Sequence, residues 1–350
     1  VLERPNTYGA GTGVTYLAEH LKVVWERLVV EAGTRVLLHA FVQDATVIDG
    51  RITELVVATK AGLHTVTGKV VVDTSGDADV CNHAGFGYEL AGSIAPAQTL
   101  TTTFRMGNVD MDARRQINKD ELHRLMGEAA DSGDYDLPRR EGSDHITPVD
   151  GMIATVMTRL GHVAGEGAAL RNASDPEILT TAEMAGRRQA LEYVRFLQDK
   201  VPGYEKAALI ALSSQVGVRE TRRVYGDYRL TRDDVLAARQ FDDQIGLCGA
   251  PIEDHHGGEG TGTTWEYLPD GEVVGIPLRT LSARDAQNVL MAGRCFSAEH
   301  DAQASVRSMA LCMAMGQAAG TAAALAATSG GLVRDVAPVA VVEAVRAAGA

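Results

Sequence analysis

Two arginines and a glycine near the C-terminus have the types and spacing expected of a ligand site. Gly293 and Arg294 directly follow the short apolar run 289–292, and Arg307 precedes a run rich in Ala, Met and Leu. An apolar run bounded so abruptly is typical of a buried parallel strand, and ligands bind at the ends of such strands. The first turn of a helix carries partial positive charge, which a neighbouring arginine reinforces. The arrangement suits an anionic or electron-rich ligand.

The run after Arg307 predicts a long helix that begins near Ser308. Its Gly316 and Gly320 lie four residues apart, so they share one helix face, and that face is bare backbone that allows very close packing. The segment between the predicted strand and this helix is predicted to be a polar loop.

The N-terminal third predicts the elements that must position such a site. Residues 17–32 carry apolar side chains at helical spacing, and Gly33 follows as a stop signal. Residues 35–38 resemble a short strand, and Asp49-Gly50 is a hairpin turn signal. The antiparallel segment that follows breaks at Ala61-Gly62. The unbroken β-branched run at 70–72 then predicts a central parallel strand.

A turn with binding character follows that strand. Gly76 allows the backbone to approach a ligand closely where the strand ends, and Asp77 is an acceptor beside it. The alternative is a tight turn in which Asp77 caps the next helix. We favour the ligand interpretation because strand ends are where ligands collect.

The middle of the chain has a different pattern. Residues 99–104 predict a strand of another sheet, and the acidic stretch 129–144, which contains Gly and Pro, predicts a surface loop. Residues 180–183, TTAE, form a capping-box pattern that opens a helix running to about Lys200, where Pro202-Gly203 follows. This region therefore interrupts the fold that contains the two parallel strands.

Four segments together resemble one known family. They are VVVDTSGDAD at 70–79, VRETRRVYGDYRL at 218–230, GIPLR at 275–279, and AGRCFS with the later SVRSMALCMAMGQAAGTAAA at 292–324. Their patterns and their order resemble those of the FAD-dependent oxidoreductase family, whose FAD-binding domain is Rossmann-like. The resemblance spans nearly the whole chain.

The resemblance implies an α/β fold with two domains. The FAD/NAD(P)-binding Rossmann-like domain is formed by residues 1–97 and 273–350, and an α+β substrate or cap domain is inserted at 98–272. The first βαβ unit is missing, because no G-x-G-x-x-G turn follows an apolar strand. The glycines at 9–13 have the wrong spacing and are predicted to be a flexible loop, and those at 258–264 are neither preceded by a strand nor followed by the Lys-Ser/Thr of a phosphate loop. The chain begins at Val1, which suggests that an N-terminal portion lies outside it, and we expect this chain alone to bind FAD weakly.

The family resemblance also implies a set of cofactor-binding residues. They are Val42, Thr74, Gly76, Asp77, Gly293, Arg294, Ser297, Arg307 and Gly316. Arg307 has the clearest mechanistic reason: a guanidinium beside a helix start stabilises the negative charge that a flavin gains on reduction, which raises its reduction potential.

The remaining polar candidates are left with two interpretations each. By analogy with the fumarate reductase group, His300 lies where a group that binds substrate or transfers a proton is expected, and the alternative is an ordinary polar loop residue. Arg219, Arg222 and Arg279 either bind an anionic substrate or hold the two domains together through carboxylate pairs. We favour the structural role for Arg222.

Composition excludes several classes of protein. A net charge of −13 argues against a nucleic-acid surface, and no run of about 18 residues is apolar enough to predict a membrane span. The four cysteines lack C-x-x-C spacing and predict a reducing compartment, so we expect a cytoplasmic protein. We expect no metal site, since neither the zinc-type residues at 248–256 nor Asp134 and Asp136 have a metal-binding spacing. Ser297, His300 and Asp301 are too close in sequence to form a hydrolytic triad.

The function predicted is that of an FAD-dependent oxidoreductase in which hydride passes from a small-molecule substrate to flavin N5. One alternative is an NAD(P)-dependent dehydrogenase. Another is a catalytically silent or truncated homologue that acts as a binding or scaffold module. The substrate, the electron acceptor and the oligomeric state, for which a homo-oligomer is one option, are left open.

Overall fold

The computed structural model describes residues 2–5, 12–255 and 262–349. The strands in these ranges are β1 Leu2–Pro5, β2 Thr12–Thr15, β3 Phe41–Ile48, β4 Arg51–Thr59, β5 Gly62–Val66, β6 Val71–Asp73, β7 Tyr88–Leu90, β8 Phe104–Gly107, β9 Ser143–Ile146, β10 Ile153–Val156, β11 Ala208–Leu212, β12 Arg222–Val224, β13 Gln244–Cys248, β14 Ile252–His255, β15 Thr263–Glu266, β16 Val274–Pro277 and β17 Val289–Met291. The α-helices are α1 Ala18–Glu31, α2 Asp79–His83, α3 Met111–Arg114, α4 Lys119–Ser132, α5 Pro176–Lys200, α6 Arg232–Leu236, α7 His300–Val306, α8 Met309–Thr328 and α9 Pro338–Ala347. The architecture confirms the predicted α/β class.

The pair of parallel strands predicted from the two apolar runs is present. β6 and β17 pair in parallel, with Val71 opposite Val289 and Asp73 opposite Met291. All three residues of β17 are buried, as expected for a strand covered on both faces. Because the pair is parallel, the turns after the two strands meet at the same edge.

An antiparallel sheet of β3, β4 and β5 precedes this pair, as the turn signals predicted. Asp49 and Gly50 both have positive φ, 51° and 73°, which is the geometry of a tight two-residue hairpin. The strand predicted at 35–38 is wrong: this segment is not assigned to a strand, and Leu37 and Leu38 are 55% and 73% exposed. An apolar run without a pairing strand has no ladder to join.

Helix α1 confirms the predicted N-terminal helix and ends just before Gly33, whose φ is +71°. None of its residues is buried. Its apolar side chains Val23, Trp25 and Leu28 are 66%, 44% and 55% exposed. The glycine-rich segments at 9–13 and 258–264 lie largely outside the described residues.

The middle region has a hydrophobic core of its own. The antiparallel sheet β11-β8-β10-β9 packs with α4 and α5 around a cluster that contains Phe104, Met126, Tyr193 and Leu197. The predicted strand at 99–104 is wrong in position, because the strand begins at Phe104 and the preceding residues form only isolated bridges.

Two other expectations for this region also need correction. Residues 129–144 are not a surface loop: α4 continues to Ser132, and Tyr135 and Leu137 are buried in the core. Helix α5 begins at Pro176 rather than at the TTAE pattern, because Asp175 accepts hydrogen bonds from the two following N–H groups and caps the helix earlier. Its end at Lys200 is as predicted.

The C-terminal residues form the largest core. One cluster joins Leu230, Val235 and Ile245 to Ile276 and Met315, so residues on both sides of position 272 pack together. The domain boundaries at 97/98 and 272/273 stay predictions. The polar loop predicted before α8 is wrong, since His300 to Val306 form helix α7.

Helix α8 begins after Ser308, as predicted. Its residues Leu311, Met315 and Ala322 pack on the core. The close packing expected at Gly316 and Gly320 is not present among the described residues, because a Cβ on either glycine would meet nothing within 4 Å. Contrary to our expectation from composition, α8 is long and apolar enough to cross a membrane by length and composition alone, with a mean hydropathy of 1.4, which is also common for the core helix of a globular protein.

Candidate active site

One cavity of about 390 Å³ lies where the ends of β6 and β17 meet the start of α8. Five of the predicted cofactor-binding residues line it: Thr74, Gly76, Gly293, Arg294 and Arg307. The remaining lining residues are mostly apolar: Trp25, Val218, Arg219, Ala292, Met309, Cys312 and Met313. The structure therefore brings together, in one concave space, glycines from two strand ends and the arginine that precedes a helix.

Asp73 at the end of β6 determines the shape of the first turn. One of its carboxylate oxygens accepts from the backbone N–H of Ser75 at 3.0 Å and from the Ser75 hydroxyl at 2.7 Å, and the other accepts from Cys81 N–H at 3.0 Å. Gly76 follows with a φ of +81°, a conformation that other residues adopt only with strain. The side chain of Asp73 thus fixes the backbone that forms one wall of the cavity.

The second turn places Arg294 against the first. A Cβ on Gly76 would lie 2.6 Å from Arg294 Nη1, so the guanidinium lies directly over the Gly76 backbone. Arg294 Nη2 donates to Asp77 Oδ1 at 2.8 Å, and the Thr221 hydroxyl donates to the same oxygen at 2.7 Å. Asp77 does not cap the next helix, because α2 has no side-chain cap. Asp77 instead orients Arg294 toward the cavity.

Arg307 lies between α7 and α8 and lines one wall of the cavity. Its Nη2 donates to Gln98 Oε1 at 2.8 Å, which attaches it to the middle region of the chain. Its buried Nε has no acceptor in the part of the chain that the structure describes. Burial lowers the pKa of this guanidinium, and the carboxylates of Glu253 and Glu220 oppose that effect. The helix start and the guanidinium together make this wall positively charged.

His300 is held away from the cavity wall by two carboxylates. Its Nδ1 is 3.0 Å from Glu220 Oε1, and its Nε2 is 3.1 Å from Asp254 Oδ1. Burial alone would lower the pKa of His300, but its hydrogen bonds to Asp254 and Glu220 outweigh burial and raise the pKa to about 10. At neutral pH the ring is therefore a buried cation in an ion-pair network. Its catalytic role stays a prediction.

Besides Asp77, which binds Arg294, three predicted cofactor residues do not line this cavity. Val42 packs against the cluster beneath β6 and β17. Ser297 is fully buried, and its backbone N–H donates to Thr280 O at 3.1 Å. Gly316 lies on α8, two turns after its first residue. Their assignment to the cofactor stays a prediction that rests on the family resemblance.

The three arginines for which two interpretations were open have different surroundings in the structure. Arg222 Nη1 donates to Asp77 O at 2.8 Å and to Asp79 Oδ1 at 3.0 Å, and Arg279 Nε donates to Asp243 Oδ2 at 3.0 Å. Both arginines hold elements together. Arg219 instead lines the cavity.

A group of possible metal-binding atoms also adjoins this region. Ligand atoms of Asp254, His300 and Asp301 lie within 4.8 Å of one another. Because the raised pKa keeps His300 protonated at neutral pH, its ring nitrogens donate hydrogen bonds rather than electron pairs. Burial raises the pKa of Cys248, the sulfur considered for zinc, and this thiol contacts Ser305.

Sequence reasoning missed several residues of this site. Trp25 and Val218 line the cavity but belong to no recognisable motif. Trp25 lies on the exposed face of α1, and a single aromatic residue on a helix carries no signal of the site it faces. Glu220 and Asp254, which hold His300, come from segments far apart in the sequence, so only the fold brings them together.

Comparison with known proteins identifies one family. The family model described as FAD dependent oxidoreductase matches residues 3–348, almost the entire chain. No curated protein matches the sequence.

Several solved structures are similar at low identity. The flavin-dependent brominase Bmp2, as a triple mutant, is 12% identical with a TM-score of 0.43, over 96% of this chain and 62% of that one. A geranylgeranyl bacteriochlorophyll reductase-like protein from Thermoplasma acidophilum is 15% identical with a TM-score of 0.35, over 57% of this chain and 41% of that one. The p-nitrophenol 4-monooxygenase PnpA from Pseudomonas putida is 13% identical with a TM-score of 0.35, over 62% and 46%. This chain spans 62% of the brominase.

Proposed function

We propose that this chain, which belongs to the FAD dependent oxidoreductase family and whose cofactor is FAD, takes part in hydride transfer from a small-molecule substrate to flavin N5. The observation that carries the proposal is the single cavity bounded by Gly76, Gly293 and Arg307. Accepting a hydride at N5 is the chemistry that FAD supplies when bound. The protein must bind the cofactor, balance its charge and orient the substrate.

The residues at the two strand ends fit a bound dinucleotide. Gly293 has a φ of +91°, and a Cβ there would meet no atom within 4 Å, so its backbone borders open space. Arg294 has a buried Nε without an acceptor among the described residues, and this donor suits a phosphate or ribityl oxygen. Gly76 and Gly293 would hold the cofactor through their backbones, with Arg294 between them.

Arg307 would balance the negative charge of the reduced flavin. A reduced flavin carries negative charge near N1 and its adjacent carbonyl, and a guanidinium beside a helix start stabilises such charge. Gln98 holds Arg307 at 2.8 Å, which limits its motion and preorganises the positive wall. By this argument Arg307 raises the reduction potential of the flavin.

The role of residues 98–272 and the surroundings of the protein are still proposals or predictions. Residues 98–272 are proposed to contribute the substrate side, because Arg219 from that region lines the cavity and Gln98 binds the cavity residue Arg307. Cytoplasmic location, the absence of membrane and nucleic-acid partners, and a homo-oligomeric state stay predictions.

Trp25 provides a direct test, because it lines the cavity and the chain has only two tryptophans. FAD titrated into the protein is expected to quench Trp25 fluorescence, and the Trp25→Phe variant is expected to lose most of that quenching while still giving a flavin absorbance spectrum. The Trp265→Phe variant is the matched control and should keep the quenching. If titrated FAD does not quench Trp25 fluorescence, or the quenching is the same in the Trp25→Phe variant, the proposal is wrong.

The proposed chemistry requires a second measurement. An FAD-loaded enzyme that accepts hydride must lose its visible flavin absorbance when an oxidisable substrate is added without oxygen. A panel of small alcohols, amines and carboxylic acids provides the probes. Bound FAD that no member of the panel reduces, although dithionite does, would favour the binding-module alternative.

A further inference from the structure

Four arginines lie together around one wall of the cavity. Arg219 and Arg307 line it, and Arg139 and Arg159, which are 6% and 7% exposed, lie close enough behind to repel the charge of Arg219. We call Arg139, Arg159, Arg219 and Arg307 the arginine cluster. Four buried or half-buried guanidiniums so close together are costly unless acidic groups balance them.

Only two carboxylates among the described residues lie within the cluster. Glu141 forms ion pairs with two members of the cluster: it lies 3.5 Å from Arg139 Nε and in closer contact with Arg159. Glu253 lies 3.0 Å from His255 Nε2. Burial lowers the pKa of His255 to about 4, with the nearby positive charges contributing, so His255 is neutral at neutral pH. Four positive charges against two negative ones leave an excess of about two.

A neighbouring group of buried charges does not remove this excess. It contains three carboxylates and three cations that pair with one another: Glu89, Glu220, Asp254, Arg223, Arg229 and His300. The other arginine in the cavity wall, Arg294, is paired with Asp77. The unbalanced charge therefore lies at the arginine cluster.

Arg219 has an unused hydrogen-bonding edge. Its Nη1 donates to the Thr101 hydroxyl at 2.7 Å and to the carbonyl oxygen of Thr99, and its Nε and Nη2 have no acceptor among the described residues. Burial, followed by repulsion from Arg307 and Arg139, lowers the pKa of Arg219 well below its usual value. A ligand that brings a negative charge would remove that penalty.

Other donors of the cluster are unsatisfied as well. The Nε atom of Arg307 and the Nη1 atom of Arg159 are buried without an acceptor in the part of the chain that the structure describes. Buried donors without acceptors are uncommon and usually mark a missing ligand or water. Arg307 lines the same cavity as Arg219.

We propose that the substrate of this enzyme carries a carboxylate, which Arg219 binds through its free edge beside Arg307. The inference rests on the proposed function, since it places the substrate next to the flavin in the same cavity. One planar guanidinium edge matches the two oxygens of a carboxylate. Of the two excess charges, one would balance this carboxylate and the other the negative charge that reduction adds to the flavin.

The apolar lining favours a carboxylate over a phosphate. Val218, Met309 and Met313 line the same cavity and suit the apolar body of an organic carboxylate, whereas inorganic phosphate has no apolar part. A phosphate needs donors around three oxygens and stays strongly hydrated. A carboxylate on an apolar body can bind the free edge of Arg219 and pack against the apolar lining of the cavity.

Benzoate is a suitable probe, with neutral benzamide as its isosteric control and inorganic phosphate as the competing anion. Each is titrated by calorimetry into the protein with and without FAD, and the flavin spectrum is followed when FAD is present. We expect benzoate to bind and to perturb the flavin spectrum, benzamide to bind at least tenfold more weakly, and phosphate to bind more weakly than benzoate.

Variants separate a binding role from a structural one. Arg219→Gln should weaken benzoate at least tenfold, leave FAD affinity within threefold and keep or raise the thermal midpoint, because it removes a repelled charge. Arg219→Lys should recover part of the benzoate affinity. Arg279→Gln, which removes a paired arginine outside the cavity, should leave benzoate binding unchanged.

The outcomes distinguish this inference from the proposed function. Failure of FAD to bind contradicts the proposed function, while benzoate binding without FAD still tests the arginine cluster. Normal FAD binding without benzoate binding overturns the carboxylate inference alone. It is equally overturned if phosphate binds more tightly than benzoate, or if Arg219→Gln lowers stability without changing benzoate affinity.

Discussion

Replacing Gly76 with alanine tests whether the two strand-end turns act together to bind FAD. The φ of Gly76 is +81°, and an alanine in this left-handed region costs about 1–2 kcal/mol. The added Cβ would lie 2.7 Å from Arg294 Cζ. Ordinary carbon contacts are about 3.5 Å, so the guanidinium must move by about 0.8 Å.

That movement removes Arg294 from its contact with Asp77. The hydrogen bond between them is 2.8 Å long, and charge-assisted hydrogen bonds contribute about 1.5–3 kcal/mol. If FAD binding requires Arg294 in this position, the affinity for FAD should fall at least tenfold, since about 1.4 kcal/mol corresponds to a factor of ten.

Gly133→Ala provides the matched control. Gly133 has nearly the same φ, +77°, ends α4 outside the cavity, and has no atom within 4 Å of an added Cβ. It carries the backbone penalty without the displacement of Arg294. Urea unfolding gives the stability of each variant, and fluorescence titration of Trp25 with FAD gives the affinity.

Both variants should lose stability through backbone strain, and Gly76→Ala should lose more because it also displaces Arg294; only Gly76→Ala should lose FAD affinity. Gly133→Ala is expected to bind FAD like the unmodified chain, and Gly76→Ala at least tenfold more weakly. If Gly76→Ala binds FAD within twofold of Gly133→Ala, the reasoning that Gly76 and Arg294 form part of the FAD site is refuted.

Three further predictions concern stability and reactivity. The pKa of His300 is raised from 6.5 to about 10. Its ion pairs therefore stabilise the fold fully below pH 6.5, and this stabilisation is lost as the pH rises through 10. At about 1.4 kcal/mol per pH unit, the stabilisation amounts to several kcal/mol. Urea unfolding between pH 6 and 10 should show this loss in the unmodified chain and a much flatter profile in His300→Gln; equal slopes would argue against it. Gly186→Ala should be destabilised by several kcal/mol, because the added Cβ would lie 2.0 Å from the Thr102 hydroxyl in the core. Gly127→Ala is the control: a Cβ there meets open space on α4, so the free energy of unfolding should rise by up to about 1 kcal/mol. Alkylation, measured by mass spectrometry, should modify Cys312 faster than Cys295, because Cys312 is partly exposed in the cavity wall and complete burial raises the pKa of Cys295. Bound FAD should protect Cys312 from alkylation. If FAD gives no protection, it binds elsewhere.

Local chemistry was sufficient to predict the elements that form the two strand ends. The β-branched run before Asp73 and the apolar run before Gly293 became the parallel strands, and the glycines after them line the cavity. Asp49-Gly50 became a hairpin turn because its backbone conformation follows from those two residues alone. These features depend on neighbours in the sequence, which is why they were predictable.

Errors arose where a distant partner decides the outcome. Residues 35–38 have the composition of a strand, but no strand among the described residues pairs with them. Residues 129–144 have the composition of a loop, yet Tyr135 and Leu137 are buried because α4 and α5 bring the core to them. His300 was predicted in a loop and instead begins a helix, held by carboxylates from Glu220 and Asp254.

The sequence by itself determined the family, the cofactor and the two glycine turns, because conformational preference and motif spacing are local properties. Only the tertiary structure decided which charges meet: it placed Arg219 beside Arg307 in the cavity and surrounded His300 with acids. Charge balance in a buried site depends on distances of a few ångströms between residues that are tens of positions apart in the sequence, and no local pattern records those distances.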